Sequence, residues 1–321
     1  MSKIKVVNCF KEALTKSSPR TYVRDSIKIS KNNLIIQNKT FKLNQKISVL
    51  AFGKASILMF KGLQDKIISS KINKALIVSH QKSIPKSNNH IAYIKSSHPY
   101  VTQQSFICAQ KVLSFVKSLD SNDILVVLVS GGGSAMLSMP IKEISFKSKK
   151  IFLTKLLTSG TPEREVNEIR KSISQIKGGG LLQSIVNKNI INLILSDERN
   201  HKFNAISSGP TIKTIKVDPI RVIKKFNLQT LLPKNLVKFY SSFNKNVNRG
   251  TDKNINNFLI GSRDIFIKDY SKILLKNGIK KIYYLPNSFS SDSKKFTKKL
   301  IKNFCKIYSI APKGENIVLS S

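Results

Sequence analysis

The sequence predicts an α/β protein built on a doubly wound, mostly parallel sheet, with a smaller, incomplete α/β domain after it. Three observations carry this expectation. First, Lys46–Phe52 (KISVLAF), Ile124–Val129 (ILVVLV) and Asn189–Leu195 (NIINLIL) are apolar almost throughout. Such runs suit strands covered by helices on both faces. Second, segments with helical spacing of apolar residues alternate with them, which is the pattern of a parallel sheet with crossover helices. Third, each run stops abruptly at small or polar residues: Gly53-Lys54, Ser130 to Ser134, and Ser196-Asp197. In open parallel sheets the ligand lies at the carboxyl ends of the strands.

The elements follow in order. The N-terminal segment MSKIKVVNCFKEALTKSS reads as an amphipathic helix with Val6, Val7, Phe10 and Leu14 on one side. Residues 28–45 read as a short strand pair turning at Asn38-Lys39. After the first buried strand comes a helix over 57–63, then strands at Lys74–Ser79 and Ile91–Ile94, the latter running into Ser96-Ser97-His98-Pro99. Thr102 is placed to cap a helix over 103–116, with Phe106, Ala109, Val112, Leu113 and Val116 inward. Beyond the glycine loop, Phe146–Thr158 reads as a helix with Gly160 just past its end. Thr161-Pro162 supplies a cap and a first-turn proline for a helix over 162–175, with Val166, Ile169 and Ile173 on its apolar side. Residues 244–257 (NKNVNRGTDKNINN) are polar and aperiodic and read as a linker. The domains expected are therefore 1–243, with the linker at 244–257 and a partial α/β domain over 258–321. The latter holds strands at 258–260, 281–285 and 316–319 and helices at 264–277 and 291–308.

The chain has 321 residues, enough for two domains, and 40% of them are hydrophobic, so a packed core is expected. No apolar stretch approaches the ~18 residues of a membrane-spanning helix. The N-terminus lacks the apolar core and small-residue cleavage site of a secretory signal. Cys9, Cys108 and Cys305 are few and far apart, which suits a reducing cytoplasm and offers no metal-ligand spacing. A net charge of +39 would ordinarily point to nucleic acid. Here the lysines are spread along the whole chain, with no cluster, aromatic interleaving or nucleic-acid motif. A solvated basic surface is the expectation, with neither a nucleic-acid nor a membrane partner.

The chemistry is expected at the strand ends. Ser130-Gly131-Gly132-Gly133-Ser134 follows a buried strand and precedes a short apolar segment. Backbone N–H groups there converge on one spot and make an anion nest, unless the loop is a plain tight turn. It lacks the GK[ST] ending of a phosphate loop and the GxGxxG of a dinucleotide fingerprint. Lys54 at a strand end can neutralise phosphate oxygens, or it is one exposed lysine among many. Asp197 can hold Mg²⁺ or take a hydroxyl proton, or it caps a helix. A lysine, an aspartate and a glycine nest together are the parts phosphoryl transfer needs. On the helix after Pro162, the residues Asn167, Arg170, Lys171, Ser174 and Lys177 recur every three or four positions and share a face. That face either lines a cleft or is solvated. Ser207 to Thr211 reads as a turn.

Together these residues resemble the glycerate 2-kinases. The blocks are GKAS at 53–56, SHP at 97–99, SGGGSAML at 130–137, SGTPEREVNEIRKSISQIKGG at 159–179, LSD at 195–197 and SSGPT at 207–211, in that order. The resemblance covers nearly all of residues 1–235 and, more faintly, 255–321. It implies a Rossmann-like two-domain enzyme that uses ATP and Mg²⁺ to phosphorylate the 2-hydroxyl of D-glycerate. Carried over residue by residue, it makes Lys54 and Asp197 catalytic, with Asp197 also the metal ligand. It makes Ser130, Gly131, Gly132, Gly133, Ser134, Asn167, Arg170 and Lys177 the substrate and phosphate site. Two departures stand out. Glu198-Arg199-Asn200-His201 replaces a family segment that ends in Pro-Gly-Asp, removing a carboxylate. The family's C-terminal glycine-rich and aspartate-rich motifs are not found before Ser321, so the second domain reads as truncated. Those departures motivate a second reading, a relative that binds a small phosphorylated or hydroxy acid without turnover. A nucleic-acid-binding protein, motivated by the charge, and a dinucleotide-dependent reductase are weaker readings. The oligomeric state is left open, a homo-oligomer included.

Overall fold

The computed structural model describes residues 3–197, 202–213, 218–243, 252–279, 281–284, 293–310 and 317–320. In chain order the elements are α1 (Lys3–Lys16), α2 (Pro19–Ser26), β1 (Ile27–Ser30), β2 (Asn33–Ile36), β3 (Lys39–Lys42), β4 (Ile47–Phe52), α3 (Ser56–Gln64), β5 (Ile72–Ser79) and β6 (Ile91–Lys95). Then come α4 (Gln103–Lys117), β7 (Ile124–Val129), α5 (Gly133–Met136), α6 (Phe146–Thr158), α7 (Glu163–Ser172), β8 (Asn189–Leu195), α8 (Pro219–Lys225) and α9 (Lys234–Ser241). The last are β9 (Asn254–Gly261), α10 (Arg263–Lys276), β10 (Lys281–Tyr284), α11 (Ser293–Ile310) and β11 (Ile317–Ser320).

The chain divides into two compact units. The larger, Pro19–Ser262, is organised on a six-stranded sheet in the order β6-β5-β4-β7-β8-β9. Every neighbouring pair is parallel. The α/β class read from the sequence is the observed one. The two central strands, β4 and β7, are buried at every position. Each therefore packs both faces. Ile47, Val49 and Ala51 join one apolar cluster with Met59, Phe60 and Leu63 of α3. Leu50 and Phe52 join another with Cys108, Ala109 and Val112 of α4. Burying such side chains contributes roughly 1.5–3 kcal/mol each. A third cluster, including Phe152 and Leu156 of α6, Val166 and Ile169 of α7, Val222 of α8 and Leu236 of α9, forms a helical subassembly of the same unit.

Three expectations are corrected. Residues 254–257 are not linker: they begin β9, which pairs with β8 from Asn189↔Asn254 onward. Its asparagines are tolerated because they find polar partners. Asn192 Nδ2 donates to Asn257 Oδ1 at 2.7 Å, and Lys39 Nζ to Asn256 Oδ1 at 2.7 Å. Residues 244–251 of that segment lie outside the described residues, and residues 252–253 lead into the strand. The strand pair over 28–45 is a three-stranded antiparallel sheet with two hairpins, because Lys31 and Gln37 both adopt left-handed backbone and turn the chain twice. Finally, the N-terminal helix belongs to the other unit, Met1–Ser18 with Arg263–Ser321. There Cys9 and Ala13, not Val7 and Leu14, are buried, against Ile273, Leu274 and Ile279. That unit also holds the parallel pair β10–β11. Among the described residues no helix is long and apolar enough to cross a membrane.

Candidate functional site

Because the sheet is parallel, the segments after β4, β5, β6, β7 and β8 all emerge at one edge. These segments begin at Gly53, His80, Ser96, Ser130 and Ser196. The glycine loop after β7 is stitched to the loop after β4. Lys54 N–H donates to the Gly131 carbonyl at 2.9 Å, and Ala55 N–H to Ser130 Oγ at 3.0 Å. A second clamp comes from the turn at 206–208, where Ser207 and Ser208 hold left-handed backbone. Ser207 Oγ donates to the Ser130 carbonyl at 2.6 Å and accepts Gly133 N–H at 3.0 Å. The hydroxyls of Ser134 and Ser208 meet at 3.0 Å. The turn that looked unremarkable in the sequence thus fixes the loop.

These bonds leave the Gly131 and Gly132 N–H groups with no acceptor among the described residues. Beside them sit the three side chains that matter most. Asp197 packs against Gly131 so closely that a Cβ there would overlap its carboxylate. Lys54 Nζ lies 3.7 Å from Asp197 Oδ2, both side chains about half exposed. A Cβ on Gly132 would meet the His98 ring at 2.9 Å and the Lys54 stem at 3.0 Å. Lys54, Asp197 and the glycine loop, picked out separately in the sequence, are therefore one constellation. His98, quoted only within a motif, belongs to it. Burial first, then the charges of Lys54 and His80, hold its pKa below the ordinary imidazole value, with Asp197 pulling the other way. The neutral ring is therefore favoured at neutral pH.

The helix after the loop, α5, spans four residues, so its dipole adds little to the field at the loop. The expectation about the cationic helix needs correction. The helix expected over 162–175 starts at Glu163, with Pro162 rather than Thr161 at its N-cap position, and ends at Ser172. Ser174 Oγ then accepts the N–H groups of Ile176 and Lys177, and Gly178 and Gly179 turn the chain through left-handed backbone. Asn167 and Arg170 remain on α7, with Arg170 Nη1 3.4 Å from Asn167 Oδ1. Lys177 is off the helix and arrives from the turn. Its buried ammonium donates to the Ser134 carbonyl at 2.5 Å and to Ser134 Oγ at 2.7 Å. Burial, then Lys149 and Arg170, keep its pKa well below that of an ordinary lysine.

Lys149 was not legible as a site residue. It lies on α6 among lysines that read as solvated, yet it is 1% exposed. Burial, then the charge of Arg170, bring its pKa down to about 7. No group of three or more His, Cys, Asp or Glu residues able to hold a metal occurs among the described residues. Glu198 to His201, the replaced family segment, lie outside them.

The fold and this edge define a parallel α/β protein in which Lys54, His98 and Asp197 gather around a glycine loop at the strand ends. Residues 5–241 match the family described as "Domain of unknown function (DUF4147)", and the chain belongs to that family. It is 30% identical over 289 residues to the glycerate 2-kinase of Pyrococcus horikoshii, covering 88% of this chain and 64% of that protein. It is 30% identical over 227 residues to the glycerate kinase of Rattus norvegicus, covering 66% and 43% respectively. The chain thus spans less than two thirds of the length of these relatives. Among solved structures, a Pyrococcus horikoshii protein superposes with a TM-score of 0.80 at 26% identity, over 99% of this chain and 74% of that one. A glycerate kinase from Thermotoga maritima superposes with a TM-score of 0.79 at 20% identity, a likeness of fold.

Proposed function

We propose that this chain is a glycerate 2-kinase, transferring the γ-phosphoryl group of ATP to the 2-hydroxyl of D-glycerate. The observation that carries the reading is the convergence of Lys54, Asp197 and the Gly131–Gly132 N–H groups at one strand edge, in a chain similar to glycerate kinases. Phosphoryl transfer asks for positioning and charge neutralisation more than for covalent chemistry. The glycine loop would cradle phosphate oxygens. Lys54 would neutralise charge on the transferred group. The 2-hydroxyl oxygen bonds to the γ-phosphorus as the bond to the β–γ bridging oxygen breaks. ADP leaves with that electron pair, and the hydroxyl proton passes to the Asp197 carboxylate and on to solvent.

The donor set suits Mg²⁺. The ion is commonly held in kinase sites by one or two carboxylates, substrate phosphates and water rather than by an all-protein cage. Asp197, half exposed and seated against Gly131, which has no side chain, is the residue that would hold it, with Lys54 beside it. When bound, the ion supplies charge neutralisation on the triphosphate. The 321-residue chain, given ATP, Mg²⁺ and D-glycerate, should release ADP in a coupled assay and form a phosphoester that NMR places on carbon 2. Binding of D-glycerate without ADP release would replace this reading with that of a binding protein.

A further inference from the structure

We propose that the cavity between residues 99–102 and α6 holds the nucleoside end of ATP, and that Lys149 is a phosphate-binding residue at its floor. This rests on the kinase reading above. The cavity has a volume of about 340 Å³; Val101, Phe146, Leu153 and Leu157 supply apolar wall, and Lys149 and Arg170 line it as well. That volume lies in the range of small-molecule sites, roughly 300–1,000 Å³.

The floor is what demands an anion. Lys149 Nζ makes one hydrogen bond among the described residues, to the Met139 carbonyl at 3.2 Å. The same oxygen also accepts from Ser174 Oγ and from Gln175 N–H, each at 3.2 Å. A carbonyl oxygen has two lone pairs, so three donors crowd it, and an ammonium has three donors to satisfy. Lys149 is thus a fully buried amine with a shared, weak hydrogen bond, and the charge that acts most against its protonation is that of Arg170. Burying such a group is costly unless an anion completes it.

The position of the floor says which anion. From the cavity the basic side chains continue to Lys177, which feels the charge of Lys149, and Lys177 touches Ser134 of the glycine loop. Apolar cavity, cations, glycine loop: this is the order of base, phosphates and transferred group in a nucleotide. The exposed ring of Tyr100 and the ring of Phe146 offer faces for a base to stack on. A three-carbon hydroxy acid would leave the apolar wall unused and its own hydroxyls unmatched there.

The test is isothermal calorimetry on the full chain with ATP and, separately, D-glycerate. Two variants are needed. Thr154→Trp places a large ring over the cavity from an exposed position on α6. Lys149→Met keeps the length of the stem and removes the ammonium. Each should weaken ATP by about tenfold or more, the scale of one lost charge-assisted hydrogen bond, and leave D-glycerate affinity unchanged. ATP bound equally well by wild type and both variants overturns the proposal and leaves the kinase reading standing. Variants that lose D-glycerate instead assign the cavity to the acid and also overturn it. A wild-type chain that binds no ATP removes the kinase reading and this inference together.

Discussion

Lys177 Nζ hydrogen-bonds both the carbonyl and the hydroxyl oxygen of Ser134, joining the end of the glycine loop to a turn 43 residues later in the chain. The contact is buried and sits where the N–H groups of the loop need a fixed frame. Removing the ammonium takes this donor from the Ser134 carbonyl and leaves Ser134 Oγ with its Ser208 contact. Lys177→Met should therefore cost about 1–3 kcal/mol of stability, the range for leaving a buried polar group unsatisfied, and should also weaken ATP binding. Urea denaturation and ATP titration check both. Unchanged values in each would mean that the contact neither frames the loop nor supports the fold.

Gly131 is held by a neighbour rather than by its own backbone. Its φ is not in the left-handed region, so alanine is compatible with the local conformation. A Cβ there would nevertheless occupy the space of the Asp197 carboxylate. Gly131→Ala should push Asp197 aside by about an ångström, a displacement that commonly costs ~100-fold in rate. The melting temperature should move by only a few degrees, since Asp197 is half exposed. Single-turnover measurements with ATP and D-glycerate decide it, and near-normal turnover would remove the Gly131–Asp197 contact from the mechanism.

Much of this edge was legible because parallel strands announce themselves twice. The apolar runs at β4, β7 and β8 mark burial on both faces, and their abrupt polar ends mark where Lys54, Ser130 and Asp197 emerge. What could not be read depended on partners distant in sequence. Asn256 and Asn257 looked like linker because the groups that donate to them, on Lys39 and Asn192, lie far away in sequence. Lys177 has helical spacing from Arg170, yet the helix ends at Ser172 and the Ser174 hydroxyl takes up the N–H groups of Ile176 and Lys177. Lys149 looked solvated because nothing in its own helix says that α7 and the Met139 strand-end segment close over it.

Lys54→Ala and Asp197→Asn test the proposed chemistry directly. Both side chains are about half exposed, so neither change opens a cavity. The ion pair between them, at 3.7 Å and in contact with water, contributes little to stability. Each variant should lose at least about 100-fold in turnover, the lower range for removing one proton-transfer or charge-stabilising group. Each should keep the wild-type circular dichroism spectrum. A variant retaining wild-type turnover takes that residue out of the mechanism.

Lys149 gives the pH dependence. Burial and Arg170 bring its pKa to about 7 in the folded protein, from the ordinary value of 10.5. Between these values the unfolded chain binds a proton at this position that the folded chain does not. Stability contributed by this group therefore rises from pH 7 toward 10.5, and the penalty for burying the ammonium is fully present below pH 7. Lys149→Met has no such penalty. Relative to wild type, the variant should be more stable by on the order of a few kcal/mol at pH 6, and the gap should close as pH approaches 10. Arg170 is present in both proteins, and the variant also relieves the repulsion of Lys149 on Lys177, which adds to the gap in the same direction. If the ammonium also meets a phosphate, ATP binding near pH 7.5 should draw a proton onto it. Calorimetry of ATP binding in buffers of different ionisation enthalpy should then show proton uptake in wild type and less in Lys149→Met. A stability gap independent of pH would show that Lys149 stays charged in the folded state, and equal proton uptake in both proteins would place the titrating group elsewhere.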